Sequence, residues 1–133
     1  MVYLIRFEPT DQDERLTVSI YYFLMVNKEK TFEMTINLDF QYAVFRKAAV
    51  VNALGMHARP AAVIAGMAQD ARGDIWLSNG KRIVDAASII DILSLCAGTG
   101  TKVSIFTEKK EDSAIADKIK TFFDIGFGEN ENE

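Results

Sequence analysis

Residues 32–42 alternate strictly between apolar and polar side chains. A period of two places one set on each face of an extended chain, so this stretch predicts a half-buried β-strand. Residues 16–26 are rich in β-branched and aromatic side chains and predict a second strand. Residues 27–30 could join the two strands as a hairpin. The first part of the chain is therefore expected to be extended rather than helical.

Composition narrows the class of protein. The longest unbroken apolar run, residues 20–26, has seven residues, whereas a helix that spans a bilayer needs about 20. We therefore expect no membrane insertion. Hydrophobic residues make up 49% of the chain and charged residues 26%, which is typical of a globular protein. The net charge of -4 and the lack of a long basic run argue against sequence-independent binding of nucleic acid.

The chain has one cysteine, Cys96, and one histidine, His57. A single cysteine excludes an intrachain disulfide and suits a reducing, cytoplasmic compartment. It is expected to be a small residue of the core. One histidine and one cysteine nearly exclude a zinc site of the usual kind. We expect neither a metal nor a cofactor. No signal peptide is predicted, because the acidic residues 11–14 precede the apolar run and no small-residue cleavage site follows it.

From residue 45 onward, strand patterns and helix patterns follow one another along the chain. The predicted order is strand 46–52, helix 58–71, strand 74–78, strand 81–85, helix 89–97, strand 102–107 and helix 111–125. Residues 126–133 form an acidic tail that is expected to be frayed. The chain is therefore predicted to divide into an N-terminal extension, residues 1–44, and a domain, residues 45–133.

The segment around His57 carries the most chemical information. Pro60 marks the first turn of the helix that follows, where its missing N–H costs nothing. The first N–H groups of that helix, at Ala58 and Arg59, have no partner within the helix and favour an anion. The guanidinium of Arg59 suits phosphate oxygens. A neutral imidazole here would be a nucleophile beside a phosphate-binding site, although a helix cap or a plain surface side chain is the simpler alternative for His57.

Residues 52–61, which read Asn-Ala-Leu-Gly-Met-His-Ala-Arg-Pro-Ala, closely resemble the phosphorylation-site motif of the HPr family. Its members are the histidine phosphocarriers of the phosphoenolpyruvate-dependent phosphotransferase system. Residues 84–89 are similar to a second motif of that family, and residues 122–128 to the ends of its proteobacterial members. The resemblance extends from about Phe45 to the C-terminus. It implies an α+β fold, an open-faced β-sandwich in which three helices cover one face of a four-stranded antiparallel sheet in the order βαββαβα.

The resemblance also implies a function for the segment around His57. His57 would accept a phosphoryl group on Nδ1 from phosphorylated enzyme I and pass it to an enzyme IIA domain or protein. Arg59 and the backbone N–H groups of Ala58 and Arg59 would stabilise the group during transfer. The chain would then be a cytoplasmic carrier rather than an enzyme, in a pathway that either transports sugars or only regulates.

Ser88 has two interpretations. Its hydroxyl is predicted to cap the helix that begins at Ile89, with Asp91 at the third helical position. In family members from organisms with an HPr kinase/phosphorylase, the matching serine is also a regulatory phosphorylation site. Ala87 stands here where many members have lysine. Beside Ser88, the resemblance places a docking patch for partner proteins, made of Met56, Ala62, Ile89, Ile90 and Leu93.

Two other functions are weighed against the carrier. A regulatory paralogue would act mainly through phosphorylation of Ser88 and protein binding, but the presence of His57 argues against it. A nucleophilic enzyme would use His57 with a distant serine and aspartate, but the sequence has no nucleophile elbow. Residues 1–44 remain open to two explanations as well. They are either a structured appendage, such as a β-hairpin, or the result of a start site assigned upstream of a true one such as Met34.

Overall fold

The computed structural model describes the backbone of residues 2–9, 15–26 and 28–129, and the side chains of residues 42–129. The chain divides into two compact units, Met1–Gln41 and Tyr42–Glu133. Within the described ranges, no helix has the length and apolar character needed to cross a membrane.

The first unit is a three-stranded antiparallel sheet. Its strands are β1 (Val2–Pro9), β2 (Arg15–Val26) and β3 (Lys28–Gln41), and they lie in the order β1-β2-β3. β2 and β3 match the two runs that the sequence pattern marks as strands, except that β3 ends at Gln41, one residue before the predicted end. β1 is a third strand that the pattern did not reveal. Lys28 pairs with Val26, so residues 28–30 belong to β3 rather than to the predicted turn, and Asn27 lies outside the described residues.

The second unit has the predicted α+β fold, with four antiparallel strands and three α-helices. Its elements are β4 (Val44–Ala49), α1 (Ala58–Gln69), β5 (Ile75–Ser78), β6 (Ile83–Asp85), α2 (Ile89–Ser94), β7 (Lys102–Thr107) and α3 (Ser113–Asp124). The strands lie in the order β4-β7-β5-β6, and every pair is antiparallel. The core forms where the apolar sides of the sheet and the helices meet, and its fully buried residues include Ile64, Leu77, Ile92, Ile105 and Ile119.

Two local predictions about this unit are wrong: the end of its first strand and the burial of Cys96. The strand predicted at residues 46–52 ends at Ala49, because the backbone of Val50 bonds to the turn residues Gly100 and Thr101. Cys96 is exposed rather than part of the core. Its backbone has a positive φ of 49° in the turn after α2, and this turn directs the neighbouring Leu95 and Ala97 inward instead.

The acidic tail is also not frayed over the part that the structure describes. Residues Gly126–Gly128 form a short 3-10 turn after α3, and Phe127 is buried with only 1% of its surface exposed. The Phe127 ring lies 5.0 Å from that of Phe123 and 5.1 Å from that of Phe122, measured between centroids. Burial of an aromatic side chain of this size offsets part of the backbone freedom that the tail loses when it docks. Residues 130–133 of the predicted tail lie outside the described residues.

Candidate functional site

His57 stands at the beginning of α1 as its N-cap residue. Its backbone is extended, with φ of -122° and ψ of -174°, and its side chain makes no capping hydrogen bond to the helix. The first helical bond runs from the N–H of Ala61 to the carbonyl of His57 at 3.1 Å. Among residues 42–129, the N–H groups of Ala58 and Arg59 have no hydrogen-bond partner. The imidazole is therefore a side chain at a helix start whose backbone donors are open to an anion.

The loop that precedes His57 is fastened to the turn after α2. Met56 donates its N–H to the carbonyl of Ala97 at 2.9 Å, and the Thr99 hydroxyl donates to the carbonyl of Asn52 at 2.6 Å. Gly55 has a positive φ of 69°, and a Cβ there would lie 3.0 Å from the Ala97 carbonyl oxygen. Only glycine suits both the backbone conformation and the close approach. The loop thus fixes the position from which His57 projects.

Glu129 is the residue of the site that sequence reasoning missed. Its Oε1 accepts a hydrogen bond from Arg59 Nη2 at 2.8 Å and also contacts His57 Nε2. Its Oε2 accepts from Asn52 Nδ2 at 2.8 Å. We refer to these four residues, Asn52, His57, Arg59 and Glu129, as the His57 cluster. The apolar Phe127 inside an otherwise polar tail was the one sequence signal that could have indicated a docked C-terminal segment.

Asn52 is the buried member of the His57 cluster. It is buried, with 6% of its surface exposed, and its Nδ2 also donates to the carbonyl of Gly55 at 2.9 Å. Both amide hydrogens are thereby used, whereas Oδ1 has no partner within residues 42–129. The opposite amide orientation would turn this oxygen toward two acceptors, so the hydrogen-bonding pattern determines which way the amide points.

The Glu129 side chain is ionised over the whole physiological pH range. The hydrogen bond from Asn52, followed by those from His57 and Arg59, lowers the pKa of Glu129 from 4.5 to about 2, although burial acts in the opposite direction. The carboxylate can then only accept hydrogen bonds. The cluster therefore combines one acceptor group with donors from three side chains.

Replacing Asn52 with alanine should raise the pKa of Glu129, because the largest stabilising contact of the carboxylate is removed. Because the pKa of Glu129 is lower in the folded chain than in the unfolded chain, the ionised carboxylate stabilises the fold. This contribution is complete above pH 4.5 and is lost as the pH falls through 2. Titration of the Glu129 carboxyl carbon by NMR should show a higher midpoint in Asn52→Ala. The control variant is Gln69→Ala, which removes an exposed amide that bonds to Ala87. Equal midpoints in Asn52→Ala and wild type would show that the hydrogen bond from Asn52 does not lower the pKa of Glu129.

Ser88 is the N-cap of α2, as predicted. Its Oγ accepts a hydrogen bond from the N–H of Asp91 at 3.3 Å, while its own N–H bonds to the carbonyl of Asp85 at 3.2 Å. The Asp91 side chain does not bond in return to the N–H of Ser88, so the two residues do not form a reciprocal capping box. Ser88 is half-buried, so its hydroxyl is a structural cap that still borders solvent.

The five residues of the predicted docking patch differ in exposure. Ile90 is 79% exposed, and Ile89 and Ala62 are exposed as well. Met56 and Leu93 are half-buried and pack against the core. α1 and α2 are in contact, so the exposed members lie on two neighbouring helices. Ile89 and Ile90 are therefore the two large apolar side chains of the predicted patch that are open to solvent.

Among residues 42–129, no three histidine, cysteine, aspartate or glutamate side chains come together in a metal-binding arrangement. The carboxylate of the His57 cluster is taken up by three donors of the protein itself. The side chains of the His57 cluster supply an amide, an imidazole, a guanidinium and a carboxylate.

Comparison with known proteins agrees with this geometry. A family model described as the PTS HPr component phosphorylation site matches residues 44–124, more than half of the chain. The phosphocarrier protein HPr of Cupriavidus necator is 31% identical over 86 residues, which cover 65% of this chain and 97% of that protein. HPr of Pseudomonas putida is 35% identical over 86 residues, or 61% of this chain and 96% of the relative.

Comparison with solved structures also finds HPr proteins. A crystal structure of HPr-C-His from Thermoanaerobacter tengcongensis superposes with a TM-score of 0.62 and 27% identity, covering 66% of this chain and 99% of that one. The residues that the family model matches, 44–124, hold the four-stranded sheet, the three helices and His57 at the start of α1. The chain belongs to the HPr family, the phosphocarrier proteins of the phosphotransferase system, whose members carry phosphoryl groups and are not enzymes.

Proposed function

We propose that His57 is the phosphoryl acceptor of this carrier, and that Nδ1 is the atom that takes the group from phosphorylated enzyme I and gives it to an enzyme IIA. One observation carries the proposal. The Nε2 side of the ring is occupied by Glu129, whereas Nδ1 has no hydrogen-bond partner among residues 42–129. An imidazole nitrogen with a free lone pair is a nucleophile. With 35% of its side chain exposed, the ring can be reached by a second protein.

Arg59 and the helix start supply the charge that phosphoryl transfer needs. Phosphoryl transfer depends mainly on positioning and on stabilisation of the charged oxygens. A guanidinium has five N–H donors, and within the described residues Arg59 uses one of them on Glu129. The others, with the N–H groups of Ala58 and Arg59, remain for phosphoryl oxygens. Because the Arg59 side chain is 57% exposed, the group would be held in a solvated site from which it can be passed on.

The partner proteins would dock beside this site. Exposed Ile89, Ile90 and Ala62 would contact enzyme I and the enzyme IIA, and Met56 and Leu93 would support them from beneath. We assign this function to residues 45–133 and to the cytoplasm, where such carriers meet their partners. Residues 1–44 would be an extension that takes no part in the phosphoryl transfer itself.

The function is tested by incubating the protein with enzyme I and labelled phosphoenolpyruvate. We expect one acid-labile, base-stable phosphoryl group per chain, which later leaves when an enzyme IIA is added. Omitting enzyme I is the control for direct labelling. A protein that stays unlabelled, or that gains acid-stable phosphate only, would reject the carrier function proposed for His57.

Ser88 offers a regulatory role in addition to its cap. A phosphate there would lie at the beginning of α2, which tolerates negative charge, but directly beside exposed Ile89 and Ile90. Phosphorylation would therefore weaken binding of the partner protein, because the phosphate dianion would lose its solvation at the interface. An HPr kinase/phosphorylase would be the enzyme that adds and removes it.

Two substitutions separate the cap from the regulatory role of Ser88. Ser88→Ala should lower the free energy of unfolding by about 1 kcal/mol, because the bond to the Asp91 N–H is lost, and should leave transfer near normal. Ser88→Asp should keep the cap but accept phosphate from enzyme I much more slowly at subsaturating protein. Denaturation curves and initial labelling rates measure the two effects. If Ser88→Asp is labelled as fast as wild type, Ser88 is a cap only.

A further inference from the structure

The carboxylate of Glu129 meets His57 at Nε2, not at Nδ1. An ionised carboxylate has no proton to donate, so this contact requires the proton of a neutral imidazole to be on Nε2. The lone pair of the neutral ring is then on Nδ1. This distribution of proton and lone pair follows from which nitrogen the carboxylate touches, together with the bonds from Asn52 and Arg59 that keep it ionised.

We propose that Glu129 is a positioning residue of this carrier: it holds the neutral ring of His57 with the proton on Nε2 and the lone pair on Nδ1, and it stabilises the positive charge that the ring gains when Nδ1 is phosphorylated. The proposal deepens the function assigned to His57 and rests on it. Glu129 touches the ring on the side away from the transferring group, so it acts through the imidazole and not on the phosphoryl group.

The transfer step shows where the carboxylate acts. The Nδ1 lone pair of His57 attacks the phosphorus of a phosphohistidine on the donor protein and forms a new N–P bond. The donor N–P bond breaks, and its electron pair returns to the donor imidazole. The proton on His57 Nε2 stays in place, so the His57 ring acquires the positive charge that the donor ring loses. A carboxylate bonded to that N–H favours the charged ring more than the neutral one.

The negative charge of Glu129 would also repel an incoming phosphoryl group. Two contacts limit this repulsion. Arg59 Nη2 bonds to the same Oε1 that meets His57, so a guanidinium stands next to the carboxylate. Its remaining N–H donors can bind phosphoryl oxygens while this bond persists, so the carboxylate does not have to leave. We therefore expect orientation and stabilisation of the ring to outweigh repulsion.

The tail holds Glu129 in a fixed place. Phe127 is buried against Phe122 and Phe123, and the N–H of Glu129 bonds to the carbonyl of Gly126 at 3.1 Å. The Glu129 side chain itself is only 13% exposed. A side chain restricted in this way can orient its neighbour at little entropic cost, because the fold has already ordered it.

The test compares Glu129→Gln with wild type and with Glu108→Gln. The control variant loses the same charge from an exposed position that lines a cavity with Ala68 and Gln69, at the end of α1 opposite to His57. In unphosphorylated wild type with a neutral ring, ¹⁵N NMR should show His57 protonated on Nε2, with a proton resonance shifted downfield by the carboxylate. That resonance should return toward the value of a free imidazole in Glu129→Gln and stay unchanged in Glu108→Gln. The maximal rate of labelling by phosphorylated enzyme I should fall about tenfold in Glu129→Gln, which is the lower end of the range for carboxylates that orient metal-binding histidines.

Each outcome decides the proposal. A wild-type ring protonated on Nδ1, or a downfield resonance that persists in Glu129→Gln, would overturn it. A Glu129→Gln variant that is labelled as fast as wild type, or faster, would show that repulsion dominates and would also overturn it. Failure of the carrier function looks different, because wild type itself would then gain no phosphoryl group while the NMR signals still report on the contact between Glu129 and His57.

Discussion

Replacing His57 with alanine should reduce labelling by enzyme I and phosphoenolpyruvate to the level of a control without enzyme I. The variant keeps Arg59 and the open N–H groups of α1, so a phosphate-binding site remains, but no nucleophile stands beside it. Acid-labile phosphate persisting on His57→Ala would reject His57 as the acceptor.

The same variant should still fold. The His57 side chain makes no capping bond and is partly exposed, and Glu129 keeps its bonds to Asn52 and Arg59. We expect the free energy of unfolding to change by no more than about 1 kcal/mol. Urea denaturation of wild type and variant measures this change. A larger loss of stability would mean that the labelling result reports on folding rather than on chemistry.

Replacing Phe127 with alanine should lower the free energy of unfolding by about 3–5 kcal/mol. Phe127 is 1% exposed and its ring touches both Phe122 and Phe123, so alanine would leave a cavity at the end of α3. The backbone of Phe127 also has a positive φ of 59°, which alanine tolerates no better. The midpoint of chemical denaturation checks the prediction.

The control for this change is Phe122→Ala. Phe122 is only half-buried, so its removal should cost clearly less than that of Phe127. The Phe127→Ala variant should in addition lose the downfield Nε2 proton resonance of His57, because the tail that carries Glu129 is no longer anchored. A loss below about 1 kcal/mol for Phe127→Ala would contradict a docked tail.

Local signals were enough to predict much of this molecule. Pro60 after His57 marks the beginning of α1, and Ser88 with Asp91 marks the beginning of α2, because caps and first turns depend on residues that are neighbours in the chain. The order of strands and helices in the second unit follows from periodicity in the same way. Predicting these features does not require knowing which distant segments of the chain come into contact.

The contacts of Glu129 could not be predicted in this way. His57 and Glu129 are 72 positions apart, and only the packing of Phe127 at the end of α3 brings them together. Phe127 is the one apolar side chain in an acidic, glycine-containing tail, and it does not by itself indicate which distant residues the tail would contact. The exposure of Cys96 and the early end of β4 have a similar cause, since both depend on the turn at residues 96–101.

The most direct test of phosphoryl carriage by His57 is to locate the phosphoryl group on the labelled protein by ¹⁵N and ³¹P NMR. We predict a single phosphoryl group on Nδ1 of His57, with the proton still on Nε2. A group on Nε2, or on any residue other than His57, would contradict it.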